Sequence, residues 1–215
     1  WLVYGSTEAE PIAEIKYSEI PAEYHEKTAS GGGLVGGFVV SGIDCRVIKS
    51  QYPRAVPDLT REEFDVLTLK DNVGEIVVSG NHVLGGYLDG IGDSENKFNV
   101  EETRWHRTGD LGRFDENGCL WLLGRSSAAI GDTYPFAVES AVYARYKPAR
   151  CALVGIGDRK ILAVEGSDDV AELIQADKTR LKIDEIVRLE KIPLDVRHRS
   201  KIDYGRLGEM LENSF

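Results

Sequence analysis

The feature that most constrains the fold of this chain is Asp115-Glu116-Asn117-Gly118, which lies between two apolar runs. A turn of this composition strongly favours a β-hairpin, because Asn and Gly tolerate the left-handed backbone that tight turns require. The hairpin places Asp110 at one end and Arg125 at the other, near one edge of a small sheet. We also predict a turn over residues 107–110, where a glycine lies between Thr108 and Asp110.

Asp110 and Arg125 have complementary chemistry. A carboxylate can accept hydrogen bonds from two hydroxyl groups, and a guanidinium presents a planar fork of donors. This combination suits a ribose beside a phosphate. The residues alone are also compatible with an ordinary hairpin that carries a surface Asp and Arg.

The composition excludes several classes of partner. The 215 residues carry a net charge of −10, which argues against a nucleic acid or an anionic membrane. The length of the chain allows one domain or two small domains. No apolar run approaches the ~20 residues that a membrane span needs. The first five residues lack the basic start and cleavage site of a signal peptide, so we expect a cytoplasmic protein.

The cysteines and histidines give no indication of a metal centre. Cys45, Cys119 and Cys151 are widely spaced, and each lies in or beside an apolar segment. Buried, reduced thiols are the expectation, which agrees with a cytoplasmic setting. The four histidines show no metal-ligand spacing, so no structural zinc is expected.

Alternating and apolar runs predict strands in the first half of the chain. A buried strand is expected at Trp1-Leu2-Val3. Further strands of a small distorted β-barrel are expected at 38–40, 45–48 and 74–79. Loops are expected at 11–28, with a short helix, and at 51–72 and 89–102. The glycines at 31–33 and 36–37 indicate backbone bends, because they lack the Lys-Ser/Thr of a phosphate-binding loop.

The pattern changes after Arg125-Ser126-Ser127, where we expect a domain boundary. Beyond it, helices and strands alternate. The expected elements are a helix from Pro135, a hairpin of strands 151–156 and 160–164, a helix 168–179, a strand 186–189 and a terminal helix 205–211. The predicted fold class is therefore α+β, with the barrel-like subdomain followed by a compact α+β domain of ~90 residues.

Two further segments carry chemically useful groups. Tyr4–Glu8 provides an aromatic ring, a glycine, two hydroxyls and a carboxylate directly after a strand. Taken alone, these five residues favour a plain strand-to-loop turn. Lys201 lies in a polar loop between Ile192 and Ile202, from which it could reach an anion. A surface lysine taken alone is usually structural or idle.

These motifs together resemble the adenylate-forming superfamily of acyl-CoA synthetases, fatty acyl-AMP ligases and peptide synthetase adenylation domains. The TGDLGRFDENGCLWLLGR segment, residues 108–125, carries the first match. In the family the Asp of TGD binds the ribose hydroxyls of ATP, and the Arg of the closing GR contacts ribose and phosphate. The resemblance implies these roles for Asp110 and Arg125.

Two more matches follow the order of the family. YGSTE resembles its YGxTE motif, which implies nucleotide binding by Tyr4, Gly5, Ser6 and Thr7 and a magnesium ligand in Glu8. The segment 193–203 resembles PxxxxGKIDR, with Ser200 in place of glycine, and implies that Lys201 stabilises the adenylation transition state. The basic residues next to this lysine, which would favour a phosphate, are Arg197, His198 and Arg199.

The resemblance implies ATP-dependent activation of a carboxylic acid, either an acyl chain or an amino acid, with Mg²⁺ as the metal. Residues 1–125 would then be the C-terminal part of the large domain, and residues 126–215 the small mobile domain that carries the catalytic lysine. The phosphate loop and acid pocket of the family do not occur in this chain. We therefore expect the chain alone to be inactive and to bind nucleotide weakly.

Two departures from the family bear on the acceptor. Ser127 replaces the usual charged hinge residue, and the loop 130–135 is shorter than usual, which puts reaction with coenzyme A or carrier-protein pantetheine in doubt. The short loop is similar to a branch that includes olefin-pathway β-lactone synthetases. The alternatives are a thioester-forming synthetase or peptide synthetase-type adenylation domain and, from another class, a non-catalytic interaction module.

Overall fold

The computed structural model describes residues 1–196 and 201–213. Its internal contacts divide the chain into two compact units, of which unit 1 comprises Trp1–Tyr24 and Leu34–Ser127, and unit 2 comprises His25–Gly33 and Ala128–Phe215. Within the described residues, no helix is long and apolar enough to span a membrane.

Unit 1 is built on a sheet of eight strands. In chain order these are β1 (Leu2–Ser6), β2 (Ala9–Ile15), β3 (Leu34–Val39), β4 (Ile43–Ile48), β5 (Gly74–Gly80), β6 (Lys97–Val100), β7 (Thr103–Phe114) and β8 (Leu120–Arg125). The strand order is β1-β2-β3-β8-β7-β5-β4, with β6 beside β7. Helices α2 (Arg61–Leu67) and α3 (Asp93–Asn96) belong to unit 1, whereas α1 (Ala22–Ala29) begins in unit 1 and ends in the segment His25–Gly33 of unit 2.

The predicted barrel is not confirmed, because this sheet is open. Strands β1 and β4 lie at opposite ends of the strand order and do not pair with each other. A barrel requires pairing around a complete ring. Alternating sequence patterns predict individual strands, but they do not determine whether the two ends of a sheet meet.

The first predicted strand is also exposed rather than buried. Trp1 precedes β1 and is 68% exposed, and Val3 is 51% exposed. The reason is that β1 is an edge strand, with β2 as its one neighbour in the sheet. Two predicted loops contain strands: β2 lies within 11–28 in part, and β6 lies within 89–102.

The core of unit 1 is aromatic. The ring centroids of Phe64 and Trp105 are 4.7 Å apart, and Phe98 stacks on Trp105 at 6.4 Å. Phe64 comes from α2, which Thr60 starts with a reciprocal capping box to Glu63. The segment 51–72 is therefore not a simple loop, because its helix contributes a side chain to this core.

Unit 2 is a three-stranded sheet with helices on both faces. Its elements are α4 (Pro135–Tyr146), β9 (Arg150–Ile156), β10 (Arg159–Glu165), α5 (Asp168–Ala176), α6 (Lys178–Leu181), β11 (Glu185–Leu189) and α7 (Tyr204–Glu212). Strand β10 is central, antiparallel to β9 and parallel to β11. The predicted helix 168–179 is divided at Asp177, whose carboxylate accepts hydrogen bonds from Tyr146 and Arg180.

The two faces of this sheet follow the period of two that a strand imposes. Leu153 and Leu162 pack with α4 and α5 on one face. Ala152 and Ile161 pack with the residues of α7 on the other. The α+β character of the prediction is thus confirmed, whereas its division at residues 125 and 126 into functional domains stays a prediction.

Candidate functional site

The hairpin of β7 and β8 brings Asp110 and Arg125 together as predicted. They are directly paired in the register, and Arg125 Nε lies 3.3 Å from Asp110 Oδ1. Arg125 Nη1 donates a 2.8 Å hydrogen bond to the carbonyl oxygen of Thr108. The arginine is 59% exposed and the aspartate 19%, so an accessible guanidinium lies beside a carboxylate that is largely covered.

The predicted turn at residues 107–110 is a bulge inside β7 rather than a turn. Arg107 pairs with Val77 and Leu111 pairs with Glu75, so three residues of β7 lie opposite Ile76 alone. The backbone of Gly109 is left-handed here, with φ of 72°. A separate irregularity lies in the hairpin itself, where Gly112 pairs with Leu122 but Leu111 pairs with Gly124. This shift of one residue brings Asp110 opposite Arg125.

Tyr4 joins this pair from a distant part of unit 1. Its hydroxyl donates a 2.9 Å hydrogen bond to Asp110 Oδ2 across 106 residues of sequence. Burial, together with the charge of Asp110, raises the pKa of Tyr4 well above its usual value. Burial also raises the pKa of Asp110, against the opposing effects of Arg125 and Tyr4. Three of the predicted nucleotide-binding residues therefore form one connected group.

Glu8 lies in the two-residue turn between β1 and β2. Its carboxylate accepts a 3.1 Å hydrogen bond from the Tyr87 hydroxyl, and its carbonyl oxygen accepts from Leu84 N–H at 2.7 Å. Burial acts to raise the pKa of Glu8, but hydrogen bonds from the backbone and from Tyr87 outweigh it and lower the pKa overall. Glu8 is thus held in place and ionised, as a hard metal ion requires of its ligands.

The residues between Tyr4 and Glu8 shape this turn. A Cβ at Gly5 would lie 2.7 Å from the carbonyl oxygen of Ala9, so the close approach of β1 to β2 requires a glycine. Ser6 pairs with Ala9 at the end of the hairpin, and Thr7 is exposed in the turn. The side chain of Thr7 is therefore accessible.

Magnesium fits the donor set only as a metal shared with a ligand. Across residues 1–196 and 201–213, no group of three or more His, Cys, Asp or Glu side chains is placed to hold an ion. Mg²⁺ is commonly bound by one or two carboxylates together with substrate phosphates. A single ionised carboxylate at Glu8 agrees with that mode.

Lys201 lies in unit 2. The segment around Lys201 is called the lysine loop, and its two described arms are residues 192–196 and 201–203. Leu194 and Ile202 form a bridge between the arms, and Asp195 N–H donates to the carbonyl oxygen of Lys201 at 2.8 Å. Ile192 is fully buried and anchors the first arm, as the sequence predicted. The basic residues Arg197, His198 and Arg199 and the substituted Ser200 lie outside the described residues.

Several contacts of these residues have no signal in the sequence. Tyr87 has no predicted role, yet its hydroxyl holds Glu8. Arg107 forms a buried bidentate pair with Glu75, at 2.9 and 2.7 Å, next to the bulge. A cavity of about 400 Å³ lies beside this pair and Arg125. Local patterns cannot pair these residues, because they come from distant segments of the chain.

Comparison with known proteins supports the family resemblance. The chain is 30% identical to an olefin β-lactone synthetase of Xanthomonas campestris over 96% of its own length and 41% of that protein. It is 26% identical to a mitochondrial medium-chain acyl-CoA ligase of Rattus norvegicus, over 74% of this chain and 23% of the ligase. No family model matches the chain.

The fold has solved counterparts as well. The ATP-bound MatB of Rhodopseudomonas palustris superposes with a TM-score of 0.69 and 20% identity, covering 98% of this chain and 40% of MatB. Together these matches place the chain in the adenylate-forming superfamily, where it corresponds to a C-terminal portion. The chain spans about two fifths of the length of the curated synthetase that it matches, at 41%.

Proposed function

We propose that the protein containing this chain activates a carboxylic acid with ATP, forming an acyl-adenylate and releasing pyrophosphate. The observation that carries the proposal is the connected group of Tyr4, Asp110 and Arg125. A largely covered carboxylate beside an exposed guanidinium is suited to hold a ribose next to a phosphate.

In this reaction the acid attacks the α-phosphate of ATP in line, which brings two anions together. The protein must therefore supply cations and positioning rather than a nucleophile. Asp110 would anchor the ribose, Arg125 would pair with ribose or phosphate, and Lys201 would neutralise charge on the acyl and α-phosphate oxygens. Magnesium held by Glu8 would neutralise the departing phosphates when bound.

The division into 1–125 and 126–215, and the mobility that brings Lys201 to the nucleotide, belong to this proposal and rest on the family resemblance. So does the cytoplasmic location, which the buried cysteines, none of them in a disulfide, support. The isolated chain is expected to be inactive, because it spans a minority of the length of its relatives.

The test uses the full-length product of the coding sequence that contains this chain, assayed for pyrophosphate release with candidate acids. Lys201→Ala should lower the rate about a hundred- to a thousand-fold, the usual cost of losing a donor aimed at developing charge. The matched control is Lys191→Ala, an exposed lysine of the same unit, which should leave the rate unchanged. An unchanged rate in Lys201→Ala would remove the proposed role.

A thioester-forming synthetase is the second candidate, and the resemblance to an acyl-CoA ligase favours it. Against it, residues 130–135 form a tight turn, in which Ile130 and Thr133 exchange two 3.0 Å backbone hydrogen bonds. Adding coenzyme A or a pantetheine-bearing carrier to the assay separates the two. Acyl-adenylate or AMP without thioester excludes this candidate.

A further inference from the structure

We propose that Glu139 and Tyr204 form a brace that positions the lysine loop, of which the structure describes residues 192–196 and 201–203, against the sheet of unit 2. The brace is a single hydrogen bond, in which the Tyr204 hydroxyl donates to Glu139 Oε1 at 2.9 Å. Tyr204 is the first residue of α7 and follows Lys201 by three positions. The inference rests on the proposed function of Lys201.

The brace starts from the edge of the sheet. Strand β9 is an edge strand, and helix α4 packs against it. Leu153 N–H donates to Glu139 Oε1 at 2.8 Å, and two residues earlier Cys151 N–H donates to the Tyr143 hydroxyl at 3.2 Å. The side chains of α4 thus satisfy backbone groups that a free edge would leave unpaired.

Glu139 does more than cap this edge. It is a buried carboxylate, 7% exposed, and the same oxygen that accepts from Leu153 accepts from Tyr204. At a purely structural position, an apolar residue or a glutamine would lower the stability of the fold less than a glutamate, since burying a carboxylate is unfavourable. The second hydrogen bond connects the rigid edge of the sheet to the segment that carries Lys201.

The lysine loop is held at both ends by carboxylates of the sheet and its covering helix. On the first arm, Ile192 N–H donates to Glu165 Oε2 at 2.9 Å. On the second arm, Asp203 N–H donates to the carbonyl oxygen of Pro193 at 3.0 Å, and the Asp203 side chain caps α7. Tyr204 comes next, so breaking its bond to Glu139 loosens the second arm directly beside Lys201.

The test measures two properties of the full-length protein, the rate of acyl-adenylate formation and the hydrogen exchange of the Asp195 and Asp203 amides that close the loop. Tyr204→Phe removes the brace but leaves the Leu153 bond. We expect a ten- to hundred-fold fall in kcat with the KM for ATP within two-fold of wild type, and about ten-fold faster exchange at both amides.

Tyr143→Phe is the matched control. The hydroxyl that it removes lies at the same edge of the sheet, but this hydroxyl bonds to Cys151 N–H and not to the lysine loop. Tyr143→Phe should leave both kcat and the hydrogen exchange of the two amides at their wild-type values. Glu139→Gln keeps an acceptor oxygen and should retain most of the rate, whereas Glu139→Leu should behave like Tyr204→Phe.

The outcomes separate the brace from the proposed function. Unchanged kcat and exchange in Tyr204→Phe overturn the brace, even if Lys201→Ala is inactive. Faster exchange without any change in kcat also overturns it as a positioning device. If Lys201→Ala has the wild-type rate, the proposed role of Lys201 fails, whatever the exchange data show. If the wild-type protein releases no pyrophosphate with any acid, the proposed function itself fails.

Discussion

At the scale of single residues, Gly109 lies directly beside the pair of Asp110 and Arg125. Its φ of 72° lies in the region that L-residues with a side chain rarely adopt. A Cβ there would also lie 3.4 Å from Arg125 Nη1. A residue with a side chain at position 109 would therefore have a strained backbone and would contact the Arg125 guanidinium.

Gly109→Ala should cost about 1–2 kcal/mol of stability, the usual penalty for a left-handed alanine. It should also weaken ATP binding by the full-length protein, because the added methyl group would contact the Arg125 guanidinium. Gly118 offers a matched control, because it has φ of 78° and a methyl group added there would meet nothing within 4 Å. Gly118→Ala should lose similar stability in urea denaturation while its affinity for ATP, measured by calorimetry, stays at the wild-type value.

Glu139 predicts a pH dependence of stability. Burial raises its pKa from 4.5 to about 7, although hydrogen bonds from Leu153 and Tyr204 oppose the shift. A carboxyl whose pKa is raised on folding binds more protons when folded, so stability falls as pH rises from about 4.5 to about 7. The loss attributable to this group is on the order of 3 kcal/mol.

The measurement is the free energy of unfolding at pH 5 and pH 8, for wild type and Glu139→Gln. Relative to wild type, Glu139→Gln should have a higher free energy of unfolding at pH 8 than at pH 5, since an amide does not ionise. Tyr143, Cys151 and Tyr204 also face Glu139, but all three have raised pKa values and stay neutral in this range. A difference that is independent of pH would contradict the assignment.

At the scale of elements, the β7–β8 hairpin is held by one aspartate in its turn. Asp115 Oδ1 accepts from the backbone N–H groups of Asn117 and Cys119, at 3.0 and 2.9 Å, and Oδ2 accepts from the Trp121 indole at 2.8 Å. Trp121 is fully buried. The turn that the sequence predicted is therefore tied to the core by the same residue that starts it.

Asp115→Ala should destabilise the protein by about 2–4 kcal/mol, because it leaves buried donors without an acceptor. Burial acts to raise the pKa of Asp115, but these hydrogen bonds lower it overall. The stability that ionised Asp115 contributes is therefore present above about pH 3.9, the ordinary pKa of Asp. It is lost as the pH falls through the lower pKa of the folded state.

Urea denaturation at pH 7 and pH 3 checks this prediction. The cost of Asp115→Ala should be smaller at the acidic pH. Glu116→Gln is the control, as its side chain lies exposed in the same turn. It should cost less than about 0.5 kcal/mol, as most surface substitutions do.

At the scale of the whole molecule, the two units have separate cores, and the cysteines report on each. Cys45 and Cys119 are buried in unit 1 and Cys151 in unit 2, and these three cysteines form no disulfide. Burial raises the pKa of Cys45 to about 12 and raises that of Cys151 as well. Such thiols are unreactive while their surroundings stay folded.

A thiol reagent should therefore modify none of the three in the native protein. As urea is increased, Cys45 and Cys119 should become reactive together, and Cys151 should follow the unfolding of unit 2. Peptide mapping of the modified protein assigns each site. Modification of Cys119 well before Cys45 would mean that unit 1 does not unfold as one cooperative body.

The sequence alone determined the local elements of this protein. The β7–β8 hairpin, the β9–β10 hairpin and the helix from Pro135 all follow from turn residues and periodicity within a few positions. The sequence also placed Asp110 and Arg125 on the two strands of this hairpin. The register of the turn alone would pair Asp110 with Gly124, and a one-residue bulge at Leu123 makes Arg125 its partner instead. The family motifs added the expected roles of Glu8 and Lys201.

Only the tertiary structure decided which distant groups meet. The bonds from Tyr4 to Asp110, from Tyr87 to Glu8 and from Tyr204 to Glu139 join residues 106, 79 and 65 positions apart. No local pattern encodes such pairs, since each depends on how strands and helices assemble. The open sheet and the exposed first strand have the same origin: alternation predicts a strand, whereas its neighbours in the assembled sheet decide whether it is covered.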